Sequence, residues 1–308
     1  MCLSTIIFVC VIFIEFSNGQ TCLSSPPELQ WNTATGVFEG ELTFGAETFT
    51  INDVTFTTRA HNGRIPSPTL RFKRGQEYHL KLINTLSPEP ASTLHNEIKD
   101  LQWTNIHTHG LHISGESPAD NIFDKINGGE DHLYIYNFPC DHAGGLSWYH
   151  PHVHGSTAVQ VGGGAVGAII VEEDARAEGL PLWLISMEEI VLVIQHLELN
   201  RLRGIARRGS DPVFNFNGGN SDFWIINGEY QPDICLTTGK WKRFRIVNSD
   251  MRRANEYTID AAGGDTSSCN VYLISKDGVL IHGQNNQVPR EITTRTMYFT
   301  VASRAEVA

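Results

Sequence analysis

Tyr78-His79-Leu80-Lys81-Leu82-Ile83 alternates apolar Tyr78, Leu80 and Leu82 with polar His79 and Lys81. A period of two puts one set of side chains on each face of an extended strand, so this stretch is read as a half-buried β-strand. Thr48–Arg59 alternates in part, through Phe49, Ile51, Val54 and Phe56. Ala165–Val171 is apolar throughout, as expected of a strand covered on both faces. In Trp241–Val247, Trp241, Phe244 and Ile246 are interleaved imperfectly with Lys242, Arg243 and Arg245. Short strands separated by Gly, Pro, Asn and Asp predict an all-β chain of Greek-key β-sandwiches. Helix is scarce, and Leu182–Asn200 has room for a strand plus a helical turn, a choice its sequence leaves open.

The 308 residues suit two domains of moderate size, and 41% hydrophobic content is enough to build their cores. The apolar run stops at Glu172-Glu173-Asp174, and Pro181 blocks a regular restart, which predicts domains over 35–174 and 182–308. Asn62-Gly63, Pro68 and Gly75 recur as Asn227-Gly228, Pro232 and Gly239. Each set precedes a basic strand that ends in Asn, at Asn84 and Asn248. One fold used twice explains this pattern.

Ile6–Ile14 is an apolar run too short to span a bilayer, and Ser17 and Gly19 are small residues suited to a cut before Gln20. Residues 1–19 are therefore read as an export signal, and the mature protein as secreted with no membrane span. The net charge of −11 repels phosphate and argues against nucleic acid as a partner. Cys22, Cys140, Cys235 and Cys269 follow the signal, so two disulfides are possible, with pairing open. No CxxC motif is present, which argues against a Cys-rich zinc site.

The 13 histidines are distributed unevenly. Asn105-Ile106-His107-Thr108-His109-Gly110 contains one H-x-H pair. Trp148-Tyr149-His150-Pro151-His152-Val153-His154-Gly155 contains a second pair and one further His. On a strand, residues i and i+2 share a face, so two adjacent H-x-H strands aim four imidazoles at one volume. Neutral imidazole suits copper, zinc, iron and nickel, and the absence of carboxylates within the motifs disfavours calcium and magnesium. Pro151 removes a backbone donor, which predicts a sheet edge or a bend there. Scattered histidines such as His61, His79, His95, His196 and His282 are read as surface or core residues, and His112, His132 and His142 as loop residues. A zinc hydrolase would need a nucleophile or partner carboxylate at a recognisable spacing, and none accompanies the pairs.

The first motif resembles the first copper motif of the multicopper oxidases, the family of laccases, ascorbate oxidases and bacterial cuprous oxidases. Thr108 stands where that motif usually has Trp. Trp148–Gly155, followed by Gln160-Val161-Gly162-Gly163-Gly164, resembles the second motif. Asn62–Leu70 and Ile226-Asn227-Gly228 agree with flanking phrases of the family. The resemblance implies tandem cupredoxin-like β-sandwiches, the second of them incomplete. It implies a type 2 copper ligand at His107 and type 3 copper ligands at His109, His150 and His152. His154 lies beyond the usual pair and is not counted as a ligand. Asp120, in Pro118-Ala119-Asp120-Asn121-Ile122-Phe123, resembles an acidic residue that supplies protons near the cluster.

The implied reaction couples one-electron oxidation of a reducing substrate to reduction of O2 to water. The family's remaining ligands lie in H-x-x-H-x-H and H-C-H motifs of a C-terminal domain, and neither pattern occurs in these residues. The type 1 copper site is thus missing from this chain. Two functions follow: part of a copper oxidase, inactive by itself, or a copper-binding or scaffold module without catalysis.

Overall fold

A computed structural model describes residues 5–10, 22–218, 222–237, 239–261, 270–281, 290–291 and 296–308. Cys269, His282 and most of the stretch read as an export signal lie outside the described residues. Within that stretch, Thr5–Cys10 runs as a strand parallel to Asn255–Ala261.

Two sheets enclose the first core. A five-stranded sheet runs in the order Asn215–Phe216, Val54–His61, Phe38–Ile51, Glu77–Asn84, Asp131–Asn137. A four-stranded sheet runs Leu70–Phe72, Gly167–Val171, Gly145–His150, His107–His109. The alternation of Tyr78–Ile83 is resolved as expected: Tyr78, Leu80 and Leu82 are buried with Phe44, Phe72, Tyr134 and Tyr149 between the sheets.

The second core lies under a seven-stranded sheet that includes Asp222–Ile226, Glu189–Glu198, Arg243–Asn248, Arg304–Val307 and Tyr272–Lys276. Ile190, Leu192, Ile194 and Ile246 point to one face and pack on Tyr257, Met297 and Phe299. Val191, Val193 and Val247 point to the other face and meet Leu146, Trp148, Ala168 and Ile170 of the first sandwich. Both Gly167–Val171 and Glu189–Glu198 are therefore covered on two sides, which accounts for their unbroken apolar sequences. The undecided segment after Leu182 contains a helical turn over Leu182–Ile185, the strand Glu189–Glu198 and a helix over Leu199–Arg208.

The repeated Asn-Gly phrases make equivalent turns. Asn62 and Gly63 have φ of 50° and 62°, and Asn227 and Gly228 have φ of 51° and 84°, the left-handed region that Asn and Gly tolerate. Each Asn side chain accepts a backbone hydrogen bond from a neighbouring strand, Thr43 N–H at 2.7 Å and Val193 N–H at 2.8 Å. Gly228 also packs directly on the first repeat, where a Cβ would stand 2.1 Å from the Ile65 carbonyl oxygen.

Alternation misleads at Trp241–Val247. Trp241 is half exposed, whereas Arg243 and Arg245 are buried. The arginines share a face with Val247, and that face lies under the first sandwich. Their charges are met there by Glu173 and Glu306, and Arg245 also pairs with Glu189 at 2.7 Å. Cys22 is bonded to Cys235 across a sequence separation of 213, and Cys140 is free and exposed. This bond fastens the segment that begins at Cys22 to the second sandwich.

Candidate metal centre

His107–His109 is a three-residue edge strand paired antiparallel with Gly145–His150, in the register His107 to His150, Thr108 to Tyr149, His109 to Trp148. The pleat decides what each side chain does. Ile106 and Tyr149 enter the sandwich core, and the Tyr149 hydroxyl donates to the Pro68 carbonyl at 2.7 Å. His107, His109, Trp148 and His150 fall on the opposite face, beside the seam with the second sandwich. Pro151 ends the strand, so His152 stands in the chain just beyond it rather than on it.

The four histidines named from the two motifs converge. The His107 ring lies 5.3 Å from that of His150 and 5.2 Å from that of His152, and the His109 ring lies 5.8 Å from that of His150. One nitrogen each of His107, His109 and His150 lies within 4.8 Å of the others. Two imidazole nitrogens on one ion, at about 2.1 Å each, span at most about 4.2 Å. The 4.8 Å bound is slightly wider than that span, so the rings stand near the separation that ligands of a metal ion would take. His154 is exposed and outside this cluster.

Hydrogen bonds orient two of the rings. Asp120 Oδ2 lies 3.0 Å from His107 Nδ1, and its Oδ1 accepts the Thr108 N–H at 2.8 Å. An ionised carboxylate only accepts, so Nδ1 carries the proton and Nε2 keeps its lone pair for a ligand. The second bond satisfies a donor on the outer side of the edge strand. Likewise His150 Nδ1 faces the Pro151 carbonyl at 3.0 Å, which leaves Nε2 as the free donor atom. Burial holds His150 down to about pKa 3. Burial, followed by the nearby Arg304 charge, holds His109 down to about 4. Both rings are thus neutral, the form that binds metal.

Residues not singled out for a role hold the motifs together. Asn105 is buried; its side-chain oxygen accepts the His152 N–H at 2.6 Å, and its amide donates to the carbonyls of Ile122 and Asp124. It ties the second motif and the Asp120 loop to the first. The signal was available, because Asn105 stands inside the motif. Arg304 comes from the far end of the chain and packs where a Cβ on Gly110 would lie 2.5 Å from its Nη2. No sequence pattern announced that contact. His112 and His142 pair with each other instead: His142 Nδ1 meets the Ala143 carbonyl, and its Nε2 accepts the His112 N–H. Neither ring nitrogen of His142 is left for a metal.

A family model described as multicopper oxidase matches residues 44–176, which include both motifs and Asp120. The chain belongs to the multicopper oxidase family. Relatives of this multicopper oxidase chain include "Multicopper oxidase mco" of Staphylococcus aureus, 25% identical over 204 residues covering 64% of this chain and 38% of that protein. The "Laccase" of Bacillus subtilis is 26% identical over 276 residues, covering 80% of this chain and 49% of the relative. The chain thus spans less than half the length of these two curated relatives. A solved multicopper oxidase from Campylobacter jejuni, described as a metallo-oxidase, shares the fold at a TM-score of 0.64 and 24% identity. That match covers 94% of this chain and 53% of the other. Such neighbours identify the sandwiches as cupredoxin-like.

The donor set fits the copper that the family implies. It consists of imidazoles, two of them with Nε2 free, beside a carboxylate that is hydrogen-bonded rather than aimed at the metal.

Proposed function

We propose that this chain supplies half of the histidine cage of a trinuclear copper cluster in a secreted oxidase. That enzyme would couple one-electron oxidation of a reducing substrate to reduction of O2 to water. The reading is carried by the convergence of His107, His109 and His150 nitrogens within 4.8 Å, with Asp120 on the far nitrogen of His107. His107 would hold the type 2 copper, and His109, His150 and His152 the type 3 pair. Copper bound there supplies the one-electron steps and the site at which oxygen is reduced.

The protein's own groups orient ligands and manage protons. Asp120 keeps the proton on His107 Nδ1 and, with its side chain 12% exposed, sits where it can pass protons inward from solvent. Trp148, buried against His109 and His150, excludes water from one side of the cage. His152 leaves the other side open, which suits closure by a further domain that brings the remaining ligands. In this proposal the units are 35–174 and 182–308, and residues 1–19 direct export. The Cys22–Cys235 disulfide supports an oxidising compartment. Among the described residues, no helix is long and apolar enough to cross a membrane.

A second reading is copper holding without turnover. It starts from the fact that no cysteine in these 308 residues has a histidine on each side, the pattern expected of a type 1 site.

Copper titration of the purified protein tests the site. We expect copper(II) with nitrogen hyperfine structure in its electron paramagnetic resonance spectrum, and more than tenfold weaker binding in His107→Ala and His150→Ala. Stoichiometric zinc in the protein as purified, with no copper uptake, would refute it. Oxygen consumption with a reducing substrate, restored by adding a domain that bears the H-C-H motif, separates the oxidase from the copper-holding module.

A further inference from the structure

On a chain of net charge −11, the helix Leu199–Arg208 is anomalous. At 100° per residue, Leu199, Leu202, Ile205 and Ala206 form one arc, and all four are buried. The opposite arc carries Asn200, Arg201, Arg203, Gly204, Arg207 and Arg208. That is four guanidinium groups and no carboxylate. Arg201 lies 3.9 Å from Glu198. Among the described residues, no carboxylate stands within ion-pairing distance of Arg203, Arg207 or Arg208.

The stripe borders an open cleft of about 420 Å3, which Arg203 and Arg207 line together with Ser210, Asn215 and Asn217. Asp211 also borders it, but its carboxylate is fully buried and held by Arg59 through two hydrogen bonds of 2.7 and 2.9 Å. It is spent on that partner. Arg203 is pre-positioned, lying 5.3 Å over the Phe216 ring and donating to Asn200 Oδ1 at 2.9 Å.

We propose that this cleft and helix face bind an acidic saccharide, a ligand that carries carboxylate or sulfate groups among hydroxyls. Arg203 and Arg207 meet the anionic group. The amides of Asn215 and Asn217 and the Ser210 hydroxyl suit its hydroxyls, and the stripe continues to Arg208 and Arg201 for a longer chain. The cleft volume lies in the range of small-ligand sites. A membrane fits less well, because the exposed arc has no apolar side chain to insert. Single-stranded nucleic acid fits less well too, because Phe214 and Phe216 are buried and offer no stacking face. The −11 charge sharpens the inference, because nonspecific attraction to a polyanion is opposed by the rest of the surface.

The test is calorimetric titration of the whole protein with oligogalacturonate, with a fully methyl-esterified oligomer as the neutral control. Binding to the acidic oligomer only is expected. It should weaken at least tenfold in the surface variant R207Q/R208Q and be unaffected by R64Q, which removes an exposed charge elsewhere. Arg203→Lys, which keeps the charge and loses the planar fork, should weaken it less than R207Q/R208Q does. No binding by the unaltered protein, equal binding of the neutral oligomer, or equal loss in R64Q would overturn the proposal. So would tighter binding to phosphatidylserine vesicles than to the oligomer. None of these readouts involves copper, so they stand apart from the reading of the histidine centre.

Discussion

His107 and His150 face each other across two antiparallel strands, with ring centroids 5.3 Å apart and each Nδ1 turned away toward an acceptor. The register of a short edge strand thus sets the geometry of the candidate metal centre. A slip of one residue would send His107 and His109 into the core and expose Ile106 and Thr108.

Replacing Asp120 tests the orientation of His107. Asp120→Asn can offer its amide to Nδ1 and reverse the tautomer, which places the proton on Nε2. Copper affinity should fall about 10- to 100-fold, measured by competition with a chelator of known affinity. An unchanged affinity would remove Asp120 from the centre.

Asn105→Ala should leave the His152 N–H and the Ile122 and Asp124 carbonyls without their partner. The cost is about 1–3 kcal/mol, visible as a lower thermal midpoint, together with weaker copper binding. A variant as stable as the parent would show that water replaces all three bonds.

The first sandwich was legible in Tyr78–Ile83, because a strand with one face in the core must alternate. The candidate metal centre was legible in part for the same reason, since His107, His109 and His150 inherit the pleat, whereas His152 follows the strand end at Pro151. Arg243 and Arg245 were not. Their burial depends on a second sheet face being covered by another domain and on Glu173 and Glu306 arriving from distant sequence. The basic helix was hidden differently: Arg201, Arg203, Arg207 and Arg208 form no continuous run, and only the turn of the helix gathers them.

Glu306→Gln probes that buried network. It removes a charge that answers both Arg243 and Arg245 at an almost fully buried position. Breaking a buried pair on one side costs about 3–5 kcal/mol. Chemical denaturation should show a loss of that size, and a change below about 1 kcal/mol would mean that Glu173 and Glu189 compensate.

Acid should destabilise the protein through its buried histidines. Burial holds His61 at about pKa 3 in the core, and His150 and His109 at about 3 and 4. Unfolded, each takes a proton near pH 6.5. The unfolded chain then binds more protons, so stability is complete above about pH 6.5 and falls as pH drops toward 3 to 4. His61→Asn should flatten this dependence in pH-dependent unfolding, and an unaltered slope would exclude His61 as a contributor.

Reduction of Cys22–Cys235 frees a loop that the bond closes over a separation of 213 residues. Loop entropy sets an upper figure of about 5 kcal/mol. Cys22→Ser should lower the thermal midpoint, and reductant should then add nothing further. A reductant effect as large in the variant as in the parent would contradict the pairing.

The Asn105 tie has one more implication. Its three bonds join protein groups alone, so the ordering they give both motifs does not draw on a bound ion. Stripping with a chelator should therefore be reversible without refolding.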